Sequence, residues 1–270
     1  MHRPASGTVH KPQNEHPANP TIQISVAKST PCPSAPVNAT RGFEFFSKVD
    51  RLLGTPINRT IIDEENKRHA MYLARMKSED GTSTTDVFVK FTTKYNADAH
   101  RLLASHNPPL APTLYSCTRV IDDIFMVVMQ YIPVSEGKSL YAISNPPPAL
   151  HPTRHSALEA FEEVCRDVSK ALEAVRRDVS QALELLHGQG LVFGDLREVN
   201  VLYFEKDDRA LLVDFDSVGR DGKDRYSGCL NPDAELGVEG LQKPNMEKSH
   251  DTENMGRLMG RLSRFRPQRD

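Results

Sequence analysis

Apolar and polar positions divide the chain into a tail, a β-rich stretch and a helical stretch. Over residues 1–40, Pro4, Pro12, Pro17, Pro20, Pro31, Pro33 and Pro36 are scattered among Ser, Thr, Asn and His. Such a segment cannot bury enough apolar surface to offset its ordering entropy, so a disordered tail is expected there. Its short apolar patch, Ile22 to Val26, does not change that expectation. Ordered structure is expected from near Phe43. His69 to Met76 and Asp86 to Phe91 are strand-like runs on either side of the polar turn Ser78-Glu79-Asp80-Gly81, which predicts an antiparallel hairpin. Ala97 to Ser105 predicts a short helix, stopped by Asn107-Pro108-Pro109. Thr113 to Val120 and Ile124 to Ile132 predict two more strands, joined at Asp122-Asp123.

Pro133 to Thr153, with Pro146-Pro147-Pro148 inside it, reads as a loop. A long helix is predicted after it, from about Ser156 to His187, ended by Gly188 and Gly190. Within it, Arg166-Asp167-Val168-Ser169-Lys170-Ala171-Leu172-Glu173 recurs as Arg177-Asp178-Val179-Ser180-Gln181-Ala182-Leu183-Glu184. The offset of eleven residues is about three helical turns, so the repeat keeps its face. The apolar stripe Val168, Ala171, Leu172, Val175, Val179, Ala182, Leu183, Leu186 is unbroken. This is a duplication that lengthens one core helix without rotating it.

Composition adds exclusions. With 38% hydrophobic and 26% charged residues the chain is ordinary globular material. With a net charge of -2, no strong pull toward nucleic acid or an anionic membrane is expected. The basic C-terminal stretch (Arg257, Arg261, Arg264, Arg266, Arg269) reads as a solvated helix and tail. No apolar run is long enough to span a bilayer. Cys32, Cys117, Cys165 and Cys229 are far apart and form no C-x-x-C, which argues against zinc and disulfides and for reduced thiols in the cytoplasm or nucleus.

The candidate chemistry follows the long helix. Leu191-Val192-Phe193-Gly194-Asp195-Leu196-Arg197-Glu198-Val199-Asn200 is followed by Leu211-Leu212-Val213-Asp214-Phe215-Asp216. A hairpin of Val201 to Phe204 with Ala210 to Val213 would bring Asn200 and Asp214 to one end. An amide oxygen and a carboxylate there suit Mg²⁺, a hard cation that prefers oxygen ligands and keeps its waters. Magnesium bridges the phosphates of ATP, and Asp195 could accept a proton from an attacking hydroxyl.

The order helix, D-L-x-x-x-N, V-D-F resembles the catalytic and metal loops of protein kinases. The likeness covers roughly Asp86 to Leu258. It implies Asp195 as catalytic base and Asn200 and Asp214 as magnesium ligands. It implies Lys90, in Val87-Phe88-Val89-Lys90, as the phosphate-contacting lysine and Asp98 as its acidic partner. Met129 would be the gatekeeper, with Gln130, Tyr131 and Ile132 in the hinge that holds adenine. Arg197 would contact the γ-phosphate or pair near Glu198. Phe193-Gly194-Asp195-Leu196-Arg197, Val213-Asp214-Phe215-Asp216 and Lys248-Ser249-His250-Asp251 are similar to small kinase-like proteins common in fungi. Asp251 would be a helix N-cap, or be aimed at the catalytic-loop backbone, or both.

Five departures from the family pattern stand out. Phe193-Gly194 replaces the usual His-Arg, Asp216 replaces a glycine, and Asp98 is a methylene shorter than glutamate. Ile61 to Arg68 carries acids where a glycine-rich phosphate loop is usual. With no A-P-E element after Asp214, a shortened peptide-binding half is expected. The expected fold is α+β and two-lobed: an antiparallel-sheet lobe over 41–132 and a helical lobe over 133–270. Three functions fit: an ATP- and Mg²⁺-dependent phosphotransferase acting on a protein or small-molecule hydroxyl; a pseudokinase serving as a nucleotide-binding or scaffold module; and a small-molecule kinase of the aminoglycoside or choline type, with its substrate cleft in the 133–165 segment.

Overall fold

The structure, a computed structural model, describes residues 43–48, 70–78, 80–145, 154–226 and 245–264. The tail expected over 1–40 and the acidic stretch Ile61 to Arg68 lie outside these residues. The class is α+β, in two lobes, as expected. Five antiparallel strands form one sheet in the order β1-β2-β3-β5-β4: β1 (Phe43–Lys48), β2 (Met71–Lys77), β3 (Thr84–Thr92), β4 (Leu114–Ile121) and β5 (Ile124–Gln130). Alternation along β3 gives the sheet two faces. Val87 and Val89 are buried with Phe43, Ala74, Met76, Met126 and Val128 on one face. Phe88 packs with Met71, Leu73 and Tyr131 on the other. Lys90 shares parity with Phe88 and lies across from Met71 and Val127.

Helix α1 (Ala97–Ala104) starts where Asn96 Oδ1 accepts from the Ala99 N–H at 3.0 Å, satisfying an orphan donor of the first turn. Its buried residues Ala99 and Leu103 join the core of the second lobe. That lobe is built on α3 (Arg154–Gly188), and every member of the predicted apolar stripe from Val168 to Leu186 is buried in its core. Burial of each such Val or Leu contributes roughly 1.5–3 kcal/mol. The two repeat copies play different parts. Asp178 is buried and accepts from Arg177 Nε (2.9 Å), Arg209 Nε (2.8 Å) and the Ala210 N–H (2.8 Å), whereas Asp167 is half-buried and lines a surface cleft.

Strands β8 (Val201–Phe204) and β9 (Arg209–Leu212) form the expected hairpin, with Val201 opposite Leu212. Helix α4 (Lys248–Ser263) buries Leu258 and Leu262 and contacts α3. Two expectations need correction, and one strand adds to the expected four. The Pro133 to Thr153 stretch is not all loop: β6 (Lys138–Ser139) pairs with β8, and α2 (Leu140–Ser144) follows, capped by Ser139 Oγ at 3.1 Å from the Ala142 N–H, with Leu140 and Ile143 buried. Phe43 to Lys48 is a fifth strand. Asp251 lies inside α4, whose N-cap is Glu247. Among the described residues no helix is long and apolar enough to cross a membrane.

Candidate active site

The cleft between the lobes is built from strand ends and the loops after α3. After the helix, β7 (Leu191–Val192) pairs with β10 (Gly219–Arg220), and the loop Phe193 to Arg197 leaves β7. Asp251, fully buried on α4, anchors that loop. Its Oδ2 accepts from the Phe193 N–H at 2.7 Å and lies 2.9 Å from His187 Nε2, and its Oδ1 accepts from the Gly194 N–H at 2.9 Å. Gly194 has φ +80, and a Cβ there would stand 2.5 Å from Met246 Cε and 3.0 Å from the Ser217 carbonyl. Backbone conformation and space both call for glycine, which accounts for the missing arginine before Asp195.

Asp195 is held from two sides. Arg197 donates to both carboxylate oxygens, Nε to Oδ1 at 2.5 Å and Nη2 to Oδ2 at 2.7 Å. Asn200, buried in the turn before β8, donates Nδ2 to the Asp195 carbonyl (2.8 Å) and to Oδ2 (3.0 Å). With both amide hydrogens directed at Asp195, the Asn200 side-chain oxygen carries no hydrogen bond among the described residues and can serve as a ligand. The Asn200 carbonyl accepts from the Val213 N–H at 3.0 Å, which sets Asp214 at the same end of the hairpin.

Asp214 has φ +68 and ψ +79, a left-handed conformation uncommon for a residue with a side chain. Strain of this kind collects at functional sites. Its Oδ1 accepts from Lys90 Nζ at 2.7 Å, and Asp216 Oδ2 lies 2.8 Å from the same ammonium. Thr92 Oγ1 donates to Asp216 Oδ2 at 2.9 Å, while Asp216 Oδ1 is buried without a hydrogen-bond partner among the described residues. Burial pulls the Lys90 pKa down, and the two carboxylates more than offset it, so the net shift is upward. Burial and the neighbouring Asp214 charge push Asp216 up to about 7, against the pull of Lys90 and Thr92. Phe215, fully buried between the two acids, stacks on His100 of α1 (4.5 Å between ring centres, 7° apart) and meets Phe193 edge-on at 5.8 Å. The Asn96 N–H also donates to the Phe215 carbonyl at 3.1 Å, so α1 is tied to the 214–216 loop.

The structure joins Lys90 to Asp214, and Asp195 to Arg197 and Asn200; the two sets meet through the Val213 N–H, which donates to the Asn200 carbonyl. The expected Lys90–Asp98 pair does not form. Asp98, on the second position of α1, is 83% exposed and pairs with Arg101 at 3.1 Å, which suits an acid near a helix N-terminus. Arg197 stands on Asp195 and not beside Glu198, whose partner is Arg261 at 3.2 Å. Met129 is buried in β5 opposite Phe88. Gln130 turns outward, its Oε1 accepting from the Thr113 N–H at 3.3 Å. Tyr131 and Ile132 follow the strand, and among the described residues their backbone groups make no hydrogen bond. Sequence reasoning marked Asp216 as a departure but missed it, and Thr92, as the surroundings of Lys90. The signal for Thr92 was its i+2 spacing on the same strand face.

An oxygen pair, Asn200 Oδ1 and the Asp214 carboxylate, is the donor chemistry that fits magnesium. Among the described residues no cluster of three or more His, Cys, Asp or Glu side chains is placed to hold a metal by itself. Water and phosphate oxygens would supply the remaining positions, as is usual for this ion.

No family model and no curated protein matches the chain. Among solved structures, the Cydia pomonella granulovirus kinase PK-1 is similar over 82% of this chain and 67% of that one, at 17% sequence identity and a TM-score of 0.48.

Proposed function

We propose that the chain is an ATP-dependent phosphotransferase acting on a hydroxyl group, most simply the Ser or Thr hydroxyl of a protein. The observation that carries this reading is that the Lys90–Asp214 pair and the Asn200–Asp195 pair are joined at one hairpin end by the bond from the Val213 N–H to the Asn200 carbonyl. These groups supply a cation for phosphate, two oxygen ligands for a hard metal and a carboxylate base, which together are the parts phosphoryl transfer needs. Magnesium, held by Asn200 and Asp214, would neutralise charge on the phosphate oxygens. Lys90 binds the phosphates. Tyr131 and Ile132 offer their unengaged peptide groups to the adenine edge, beneath the apolar face formed by Phe88, Met71 and Leu73 and next to Met129.

Asn200 and Arg197 orient Asp195, and Arg197 keeps Nη1 to meet the transferred group. The substrate hydroxyl oxygen attacks the γ-phosphorus, its proton passes to Asp195, and the bond from that phosphorus to the bridging oxygen of ADP breaks with its electron pair. Two contacts favour the pseudokinase reading: Asp214 on Lys90 and the guanidinium over Asp195 must both loosen before transfer. The aminoglycoside-type reading has less support, because the cleft of about 200 Å³ beside the 133–145 segment sets Lys138 and Lys170 against Glu136, Asp167 and Glu205.

Incubation with γ-labelled ATP and Mg²⁺, with the chain and a mixed Ser/Thr peptide pool as acceptors, tests the proposal. Wild type transfers label, and Asp195→Ala transfers at least ~100-fold less while binding ATP as before. Equal labelling by both proteins, or none by wild type, would contradict it.

A further inference from the structure

We infer that Asp216, and not an acid on α1, is the residue that positions Lys90 for the nucleotide. This inference rests on the reading of Lys90 as the phosphate-binding cation. Three observations carry it. Among the described residues the Lys90 ammonium has two carboxylate neighbours, both from the 214–216 segment. Asp216 is itself fixed, because Thr92 Oγ1, two residues beyond Lys90 on the same strand, donates to the oxygen that faces the ammonium. The acid on α1 is turned to solvent and spent on Arg101.

The consequence concerns what α1 can control. An acid on a mobile helix makes the lysine's position depend on that helix. Here strand β3 and the loop after β9 contain the whole arrangement: Lys90 and Thr92 on one, Asp214 and Asp216 on the other. Asp216 and Thr92 therefore hold the amine in line with Asp214 whatever Asp98 does. Were Asp214 to turn toward a bound magnesium, Asp216 would remain as the carboxylate that keeps Lys90 in the cleft. A glycine at position 216 would leave Lys90 with one partner.

Amine acetylation followed by peptide mass spectrometry reads the environment of Lys90 directly, on the full chain and without nucleotide. Asp216→Asn is expected to speed Lys90 acetylation about tenfold, Thr92→Val about threefold and Asp98→Ala less than twofold, with Lys77 and Lys206 unchanged in all three. The dissociation constant for Mg²⁺-ATP should rise at least fivefold in Asp216→Asn and stay within twofold in Asp98→Ala. An unchanged Lys90 rate in Asp216→Asn, or a large rise in Asp98→Ala, overturns the assignment. If all lysines react faster in Asp216→Asn, that variant has lost its fold, and Thr92→Val decides: no selective rise at Lys90 overturns it. If acetylation follows the expected pattern but wild type binds no ATP, the phosphotransferase proposal fails and the positioning of Lys90 by Asp216 stands.

Discussion

Lys90 and Asp214 are separated by 124 positions in the chain, yet their charged atoms lie 2.7 Å apart. Each stands near the end of its own strand, β3 and β9, and neither strand belongs to the other's sheet. The contact is thus a direct link between the two lobes. It is reinforced by the Phe215–His100 stack and by the hydrogen bond from Asn96 to Phe215.

Asp251 is the anchor of the loop that carries Asp195. Replacing it with Ala leaves the buried N–H groups of Phe193 and Gly194 without acceptors and His187 without its partner. Buried donors left unpaired cost about 1–3 kcal/mol each, so Asp251→Ala should lose about 3 kcal/mol or more. Urea denaturation measures this, and a loss below about 1 kcal/mol would show that the anchor is dispensable.

Gly194→Ala should destabilise the protein by about 2 kcal/mol, through a left-handed backbone and contact with the Ser217 carbonyl. Adding Met246→Ala removes the 2.5 Å clash but not the backbone strain, so it should recover less than half of the loss from Gly194→Ala, measured against Met246→Ala alone. Full recovery would place the whole effect in the methionine.

His100 supplies a pH dependence. It is buried, lies 2.7 Å from Tyr95 Oη through Nδ1 and 2.7 Å from the Pro112 carbonyl through Nε2, and burial lowers its pKa from 6.5 to about 4. The folded state therefore keeps it neutral where the unfolded chain binds a proton. Its contribution is complete above pH 6.5 and is lost as pH falls toward 4, about 3.5 kcal/mol in all at roughly 1.4 kcal/mol per pH unit. In His100→Gln the slope of stability against pH between 6.5 and 4 should flatten by that amount. An unchanged slope would assign the acid sensitivity to other groups.

The repeat in α3 gives a paired comparison. Asp178→Ala strips Arg209 and the Ala210 N–H of a buried acceptor and should cost about 3 kcal/mol, while Asp167→Ala should stay within about 0.5 kcal/mol. Equal losses from the two variants in chemical denaturation would mean that the copies are interchangeable.

Much of the site was legible because its chemistry is local in sequence. Asp195, Asn200 and Asp214 fall within one loop and one hairpin, and hairpin pairing alone brings Asn200 next to Val213. The long helix was legible because its stripe is uninterrupted over five turns. Asp98 misled for a physical reason: α1 begins at Ala97, and its buried side is set by Ala99, His100 and Leu103, leaving Asp98 toward solvent. A helix of eight residues fixes that phase only through its N-cap, Asn96, and the resemblance pointed to charge, not phase. Asp216 was visible as an unusual residue, but its contact with Lys90 is set by tertiary packing that spacing cannot report. Helix α2 escaped notice because five residues are too few to show a period.

The most direct test of the central claim is thermal unfolding with ATP, with and without Mg²⁺, on wild type and on Asp214→Ala. Ligand that binds only the folded state raises its stability by about 2.7 kcal/mol at a hundredfold excess over Kd. Wild type should show a rise in Tm of several degrees that requires magnesium, and Asp214→Ala should lose the magnesium-dependent part. No shift in wild type, or the same magnesium-dependent shift in Asp214→Ala, would contradict the claim that Lys90, Asn200 and Asp214 together hold a metal-bound nucleotide.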